Sequence, residues 1–140
     1  MPRQAALLSE WGDLSPVSPR ERDGPEELFA SQCRSFLLPH FEREVYFAQS
    51  IGRRWRFDFA FPRYHLAVEL DGVVVKRVRG ELFVLGRHAS IDGLRGDNEK
   101  INTAILLGWS VLRFLQTDVK PKLAIETTMR ALAARGWRAP

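Results

Sequence analysis

Residues 53–72 read RRWRFDFAFPRYHLAVELDG. Over residues 54–61 the side chains alternate, with Trp55, Phe57, Phe59 and Phe61 on one face and Arg56, Asp58 and Ala60 on the other. That two-residue period predicts a strand. Pro62-Arg63-Tyr64 reads as a tight connection, and residues 65–71, HLAVELD, supply a second strand with Leu66, Val68 and Leu70 on one face. A connection this short predicts a hairpin. Glu69 and Asp71 close the second strand two residues apart, so they share a face. Pairing of the two strands brings Asp58 close to Glu69.

Working outward, residues 73–85, VVVKRVRGELFVL, read as two more short strands around Arg79-Gly80, forming a basic inserted hairpin. Residues 86–96 are glycine-rich and loop-like, and a helix is predicted from about Gly96 to Leu107, with Ile101, Ala104 and Ile105 on its apolar side and Gly108 at its end. Residues 109–115, WSVLRFL, form a buried strand, and residues 118–135 a last helix with Leu123, Ile125, Met129 and Leu132 available for packing. Toward the N-terminus, residues 44–49, EVYFAQ, form a short strand before the turn at Ser50-Ile51-Gly52. Pro25, Glu26 and Glu27 mark a helix start. Leu28, Phe29, Gln32, Cys33 and Phe36 continue that helix, which stops before Pro39. Residues 1–24 read as an extension punctuated by Pro16, Pro19 and Gly24, with a short helix over residues 4–11, so the domain is expected at 25–140. The order is αβββ, a hairpin, then αβα. A helix between the third and last core strands implies a right-handed crossover. The expected class is α/β (α+β), a mixed sheet flanked by helices with an inserted β-hairpin.

Composition sets the outer limits. A chain of 140 residues and 16.0 kDa fits one domain. Hydrophobic residues at 45% and charged residues at 27% exclude wholesale disorder and fibrous architectures. No apolar run approaches the roughly 20 residues of a membrane span. Ser9, Glu10 and Asp13 interrupt the start, so no signal-peptide core is expected and the predicted location is the cytoplasm. The single cysteine, Cys33, excludes an internal disulfide and a multi-cysteine zinc site, and reads as a small buried apolar group.

The net charge is +4 and the pI about 9.7. Arg53, Arg54 and Arg56 surround Trp55; Lys76, Arg77 and Arg79 form a second cluster, followed by Arg87 and His88. Two basic clusters flanking an acidic centre suit a phosphate-rich ligand. Solvated surface arginines are the simpler account of the same charges.

Asp58, Glu69 and Asp71 are the candidate metal ligands. Close carboxylates raise each other's pKa unless a cation joins them. Oxygen donors of this kind suit Mg2+ or Mn2+. Two simpler accounts stand beside this one: solvent-facing acids on an open sheet, and a turn at Asp71-Gly72. Glu26 and Glu27 have their own simple account at a helix N-terminus. His88, in GRHASIDG, either meets a phosphate or moves a proton, or is an ordinary loop histidine. Lys100 either forms a surface pair with Asp97, three residues before it, or stands beside a scissile phosphate. The GxxxxGK[ST], GxSxG and HExxH motifs and a dinucleotide-binding glycine fingerprint are absent.

The acidic helix, the Asp-bearing and Glu-bearing strands and the αβββαβ order together resemble the PD-(D/E)XK nuclease superfamily, whose core is restriction-endonuclease-like. The run RRWRFDFAFPRYHLAVELDG, then GRH, then DNEKINTAILLGWSVLRF, is similar to small very-short-patch-repair-like endonucleases and to runs in phage and prophage proteins. The resemblance spans roughly residues 26–115. It implies a metal-dependent DNA endonuclease in a bacterial or phage-infected cell, using Mg2+ or Mn2+. By this resemblance Asp58 is the central aspartate and Glu69 the acid of the (D/E)XK element, both metal ligands. Glu26 matches the acid of the first helix, with Glu27 as alternate. Asp71 stands where the motif's lysine is expected, which makes Lys100 the candidate for a lysine moved to the neighbouring helix. His88 becomes the candidate base or phosphate contact, and Arg53, Arg54, Arg56, Lys76, Arg77, Arg79 and Arg87 the backbone-phosphate contacts. The segment 73–85 is longer than the loop expected there. Two alternatives remain open: a non-catalytic nucleic-acid-binding protein on the same fold, and a phage structural or assembly protein. A chain cutting both strands would act as a symmetric homodimer, a nickase as a monomer.

Overall fold

The computed structural model describes residues 24–72, 74–85 and 90–140. The expected N-terminal extension with its short helix, and the loop carrying Arg87 and His88, lie outside the described residues. The elements, in chain order, are α1 (Pro25–Ser35), β1 (Glu42–Tyr46), β2 (Arg56–Phe61), β3 (Leu66–Asp71), β4 (Val74–Val78), β5 (Glu81–Leu85), α2 (Ile91–Leu106), β6 (Ser110–Leu115) and α3 (Leu123–Ala134). The class is α+β. Four strands form one sheet in the order β1-β2-β3-β6, and β4 and β5 form a separate pair. The contacts β1/β2 and β2/β3 are antiparallel and β3/β6 is parallel, so the sheet is mixed, as expected.

The chain divides into two compact units. One contains α1 and α3. Phe29, Cys33, Val119, Ile125 and Leu132 are fully buried there, and Gln32 Nε2 donates to the Val119 carbonyl at 3.0 Å. Burial pushes the Cys33 thiol far above its ordinary pKa, which suits packing rather than reactivity.

The other unit, His40–Gln116, contains both sheets and α2. Its β2–β3 hairpin turns through a single 3-10 turn at Pro62–Tyr64, closed by His65 in the left-handed region at φ 46°. At the β4–β5 turn, Arg79 and Gly80 both take positive φ, 52° and 82°, the pattern of a two-residue hairpin turn. A cluster of Phe57, Ala60, Ala67 and Ala104 is packed by Val45, Phe47, Trp109 and Val111. Ala104 is the α2 residue in that cluster.

The single aromatic face expected on β2 is not what forms. Phe57 joins the Ala60 side, stacked on Phe47 at 4.0 Å and edge-on to Trp109 at 5.2 Å. Phe59 and Phe61 instead meet Phe41, at 5.9 and 6.0 Å. The alternation breaks between Phe57 and Phe59, at Asp58. On β1, Glu44 lies between the pairs Arg43↔Phe59 and Val45↔Phe57 and takes φ 52°, which interrupts the regular pleat on that strand too.

A second difference concerns α2, which begins at Ile91 rather than near Gly96. Ser90 caps it, its Oγ accepting from the Gly93 N–H at 3.0 Å, and Asp92 sits in the first turn. Gly93 and Gly96 give this stretch the composition of a loop, and the cap outweighs them. Ile105, expected on the packed side, is exposed.

Phe57→Ala removes a fully buried ring held between two aromatic neighbours. The expected cost is about 3–5 kcal/mol, read from the midpoint of urea denaturation.

Candidate functional site

The β2/β3 ladder pairs Phe61 with Leu66, Ala60 with Ala67 and Phe59 with Val68. The next step would place Asp58 opposite Glu69. There the side chains take over the bonding. The Asp58 N–H donates to Glu69 Oε2 at 2.9 Å, and the Leu70 N–H donates to Asp58 Oδ2 at 2.8 Å. Each carboxylate is thus oriented by a peptide N–H of the neighbouring strand. Among the described residues no hydrogen bond reaches Asp58 Oδ1.

Lys100 completes this arrangement. Its Nζ donates to Glu69 Oε1. The pair is mostly enclosed, with the lysine side chain 16% and the glutamate side chain 8% exposed. Helical spacing explains the placement. Asp97, Lys100 and Ala104 share one side of α2, and Ala104 is buried in the sheet's cluster. Lys100 therefore does not form the surface pair with Asp97 that spacing alone allowed.

Burial raises the pKa of Asp58 and of Glu69. The Leu70 N–H opposes this at Asp58, and the Lys100 hydrogen bond and charge oppose it at Glu69. Both carboxyls still end above their ordinary values because desolvation is the larger effect.

Asp71 is the last residue of β3 rather than the start of a turn. Arg113 holds it, with Nε at 3.1 Å and Nη2 at 2.9 Å from Asp71 Oδ2. The same Nη2 lies 3.8 Å from Asp97 Oδ2, and Asp97 is buried. Arg113 is the register partner of Glu69 across β3/β6. It thus links the end of β3 to α2, one turn from Lys100. Asp97 and Arg113 belong to the site and were not predicted to. The available signal was Arg113 itself, a charged residue inside the apolar strand WSVLRFL.

The remaining predicted residues are distributed as follows. Glu26 lies in the first turn of α1, in the other unit, where its charge suits the helix N-terminus. Arg53 is paired with Glu99 at 2.5 Å, and its guanidinium stacks 3.6 Å over the half-buried Trp55. Arg56 pairs with Glu44 at 3.0 Å, whereas Arg54 is exposed. Arg77 donates to the Gly80 carbonyl at 3.1 Å, and Arg79 is exposed at the hairpin turn. Lys76 lies in β4, but its side chain is outside the described residues, as are Arg87 and His88.

The donor set consists of hard carboxylate oxygens, which fits Mg2+ or Mn2+. Asp58 offers Oδ1, and Glu69 would share or exchange the oxygen that Lys100 holds. Among the described residues no three acidic, histidine or cysteine groups converge as a ready metal cluster. The comparisons with known proteins give no identification: no family model, no curated protein and no solved structure matches the chain.

Proposed function

We propose that the chain is a metal-dependent DNA endonuclease of the PD-(D/E)XK type, hydrolysing phosphodiester bonds with Mg2+ or Mn2+. One observation carries the reading: Asp58 and Glu69 are oriented side by side on neighbouring antiparallel strands, with Lys100 delivered to Glu69 from α2. When bound, the divalent ion lowers the pKa of water and offsets charge developing on the phosphate. Asp58 and Glu69 hold it and must be ionised to do so. Lys100 Nζ would orient the attacking water or stabilise the charge of the transition state. Asp71, at the position where the motif's lysine is expected, is held by Arg113 and so adds little net charge beside Glu69. Arg54, Arg77 and Arg79 are exposed and available to backbone phosphates.

The test is Mn2+ binding followed by calorimetry. Wild type should bind, and Asp58→Ala and Glu69→Ala should lose binding while remaining folded. Unchanged binding in both variants would refute the ligand assignment.

The raised carboxyl pKa values set the pH dependence. Cleavage should fall as pH drops through a range above that of ordinary carboxylates, because ionised Asp58 and Glu69 are then lost. Lys100→Met removes the cation that lowers the Glu69 pKa, so the acid limb should move to higher pH. A limb that stays in place in a pH–rate profile would count against the Lys100–Glu69 coupling.

A second reading, nucleic-acid binding without cleavage, has its own observation in favour: both Glu69 oxygens are already engaged by protein donors. Retained DNA binding with no Mn2+ binding would select it.

A further inference from the structure

Arg113 is the charged residue of an otherwise apolar strand, and it is the register partner of Glu69 across β3/β6. A guanidinium between Leu112 and the buried Phe114 carries a desolvation cost that close partners must offset. Its partners are two acids. Nε and Nη2 both reach Asp71 Oδ2, at 3.1 and 2.9 Å, and Nη2 lies 3.8 Å from Oδ2 of the buried Asp97 on α2. The Arg113 side chain is 32% and that of Asp71 22% exposed, so water screens the pair only in part. An arginine also stays protonated at every working pH, so this grip does not relax as a lysine's can.

Asp71 is otherwise well placed to bind metal. It follows Glu69 by two residues on β3 and shares its face. Burial is the main cause that raises the Asp58 carboxyl, and the Asp71 charge adds to it, so Asp71 is near enough to be felt at Asp58. A third carboxylate beside Asp58 and Glu69 would suit a pair of divalent ions about 4 Å apart, the arrangement of many phosphodiester-cleaving sites. The geometry points to Arg113 as the residue that restricts the site to a single divalent ion, by occupying Asp71 and keeping it from coordinating metal. This inference rests on the reading of Asp58 and Glu69 as metal ligands. Arg113 is thus a positioning residue: it acts on metal stoichiometry through Asp71. A salt bridge that only fastened β6 to β3 and α2 would affect stability and leave stoichiometry alone.

Two double variants of the full-length chain test this. Asp97→Asn/Arg113→Met frees Asp71, and Asp71→Asn/Arg113→Met removes it. Each loses an acid together with a cation, so both keep the wild-type net charge and differ in which aspartate remains. Mn2+ titration is followed by electron paramagnetic resonance, with melting curves to check folding. Wild type and Asp71→Asn/Arg113→Met should each bind a single Mn2+ per chain. Asp97→Asn/Arg113→Met should bind a second, with the spectrum of a spin-coupled pair. A single Mn2+ in folded Asp97→Asn/Arg113→Met overturns the proposal. So does a second Mn2+ on wild type, a result that needs no variant to fold. Loss of the single ion in folded Asp71→Asn/Arg113→Met would make Asp71 a ligand of the native chain and also overturn it. Failure of the underlying reading looks different: wild type then binds no Mn2+, which overturns the metal site and this inference together.

Discussion

Asp58→Asn should abolish phosphodiester cleavage, by about 10³-fold or more, without lowering the melting temperature. The two halves of this result have different origins. Activity is lost because an amide oxygen replaces an anionic metal ligand. Stability is kept because the asparagine carbonyl can still accept from the Leu70 N–H, the bond that orients Asp58. The sign of the stability change follows from the raised pKa. A raised value means that the folded chain holds the Asp58 proton more tightly than the unfolded chain. The stability gained from the protonated form is full below the unfolded-state pKa and is lost as pH rises through the folded-state pKa. At neutral pH the ionised carboxylate is therefore a burden that asparagine removes. The melting temperature should equal that of wild type or exceed it by up to about 4 °C. Because the protonated carboxyl resembles the amide, the difference should shrink as pH falls. A clear loss of stability at pH 7 would instead make Asp58 a structural residue. Glu69→Gln provides the contrast. It leaves the largely enclosed Lys100 ammonium without its carboxylate, and should lose activity together with about 2–3 kcal/mol of stability.

Lys100→Met should lower the cleavage rate by about 10²–10³-fold while leaving Mn2+ affinity unchanged or tighter. The lysine and a metal draw on the same Glu69 carboxylate, so removing the lysine removes a competitor. Methionine keeps much of the length that packs along α2. Affinity and rate therefore separate: a residue that only held the fold together would move both downward. Loss of Mn2+ binding in Lys100→Met would show that the lysine positions the carboxylates rather than the reacting groups. Circular dichroism on the same samples checks that α2 remains folded.

The order of elements was readable because the strands carry strong signals. Phe57, Phe59 and Phe61 alternate with polar or small residues, and Pro62-Arg63-Tyr64 is too short to do anything but turn the chain back. Asp58 and Glu69 could be paired for the same reason: adjacent antiparallel strands leave little freedom in which residues face each other. What periodicity could not show is the local break at Asp58, where two side chains take the place of ladder bonds and Phe57 changes face. That depends on Glu44 opposite, whose left-handed backbone has no sequence signature of its own. The early start of α2 was hidden because Gly93 and Gly96 look like a loop, while the Ser90 cap is a single residue. Asp97 and Arg113 were missed because their bridge joins elements distant in sequence. Lys100 was found through a resemblance, and its geometry depends on which side of α2 the buried Ala104 turns toward the sheet.

The most direct test of the Asp58–Glu69–Lys100 site is cleavage of supercoiled plasmid and branched DNA. Wild type would be compared with Asp58→Ala and Glu69→Ala in Mg2+, in Mn2+ and in EDTA. The account predicts nicked or linear product from wild type with metal, and none with EDTA or from either variant. Equal cleavage by all three proteins, or no cleavage by wild type on any substrate with either metal, would contradict it.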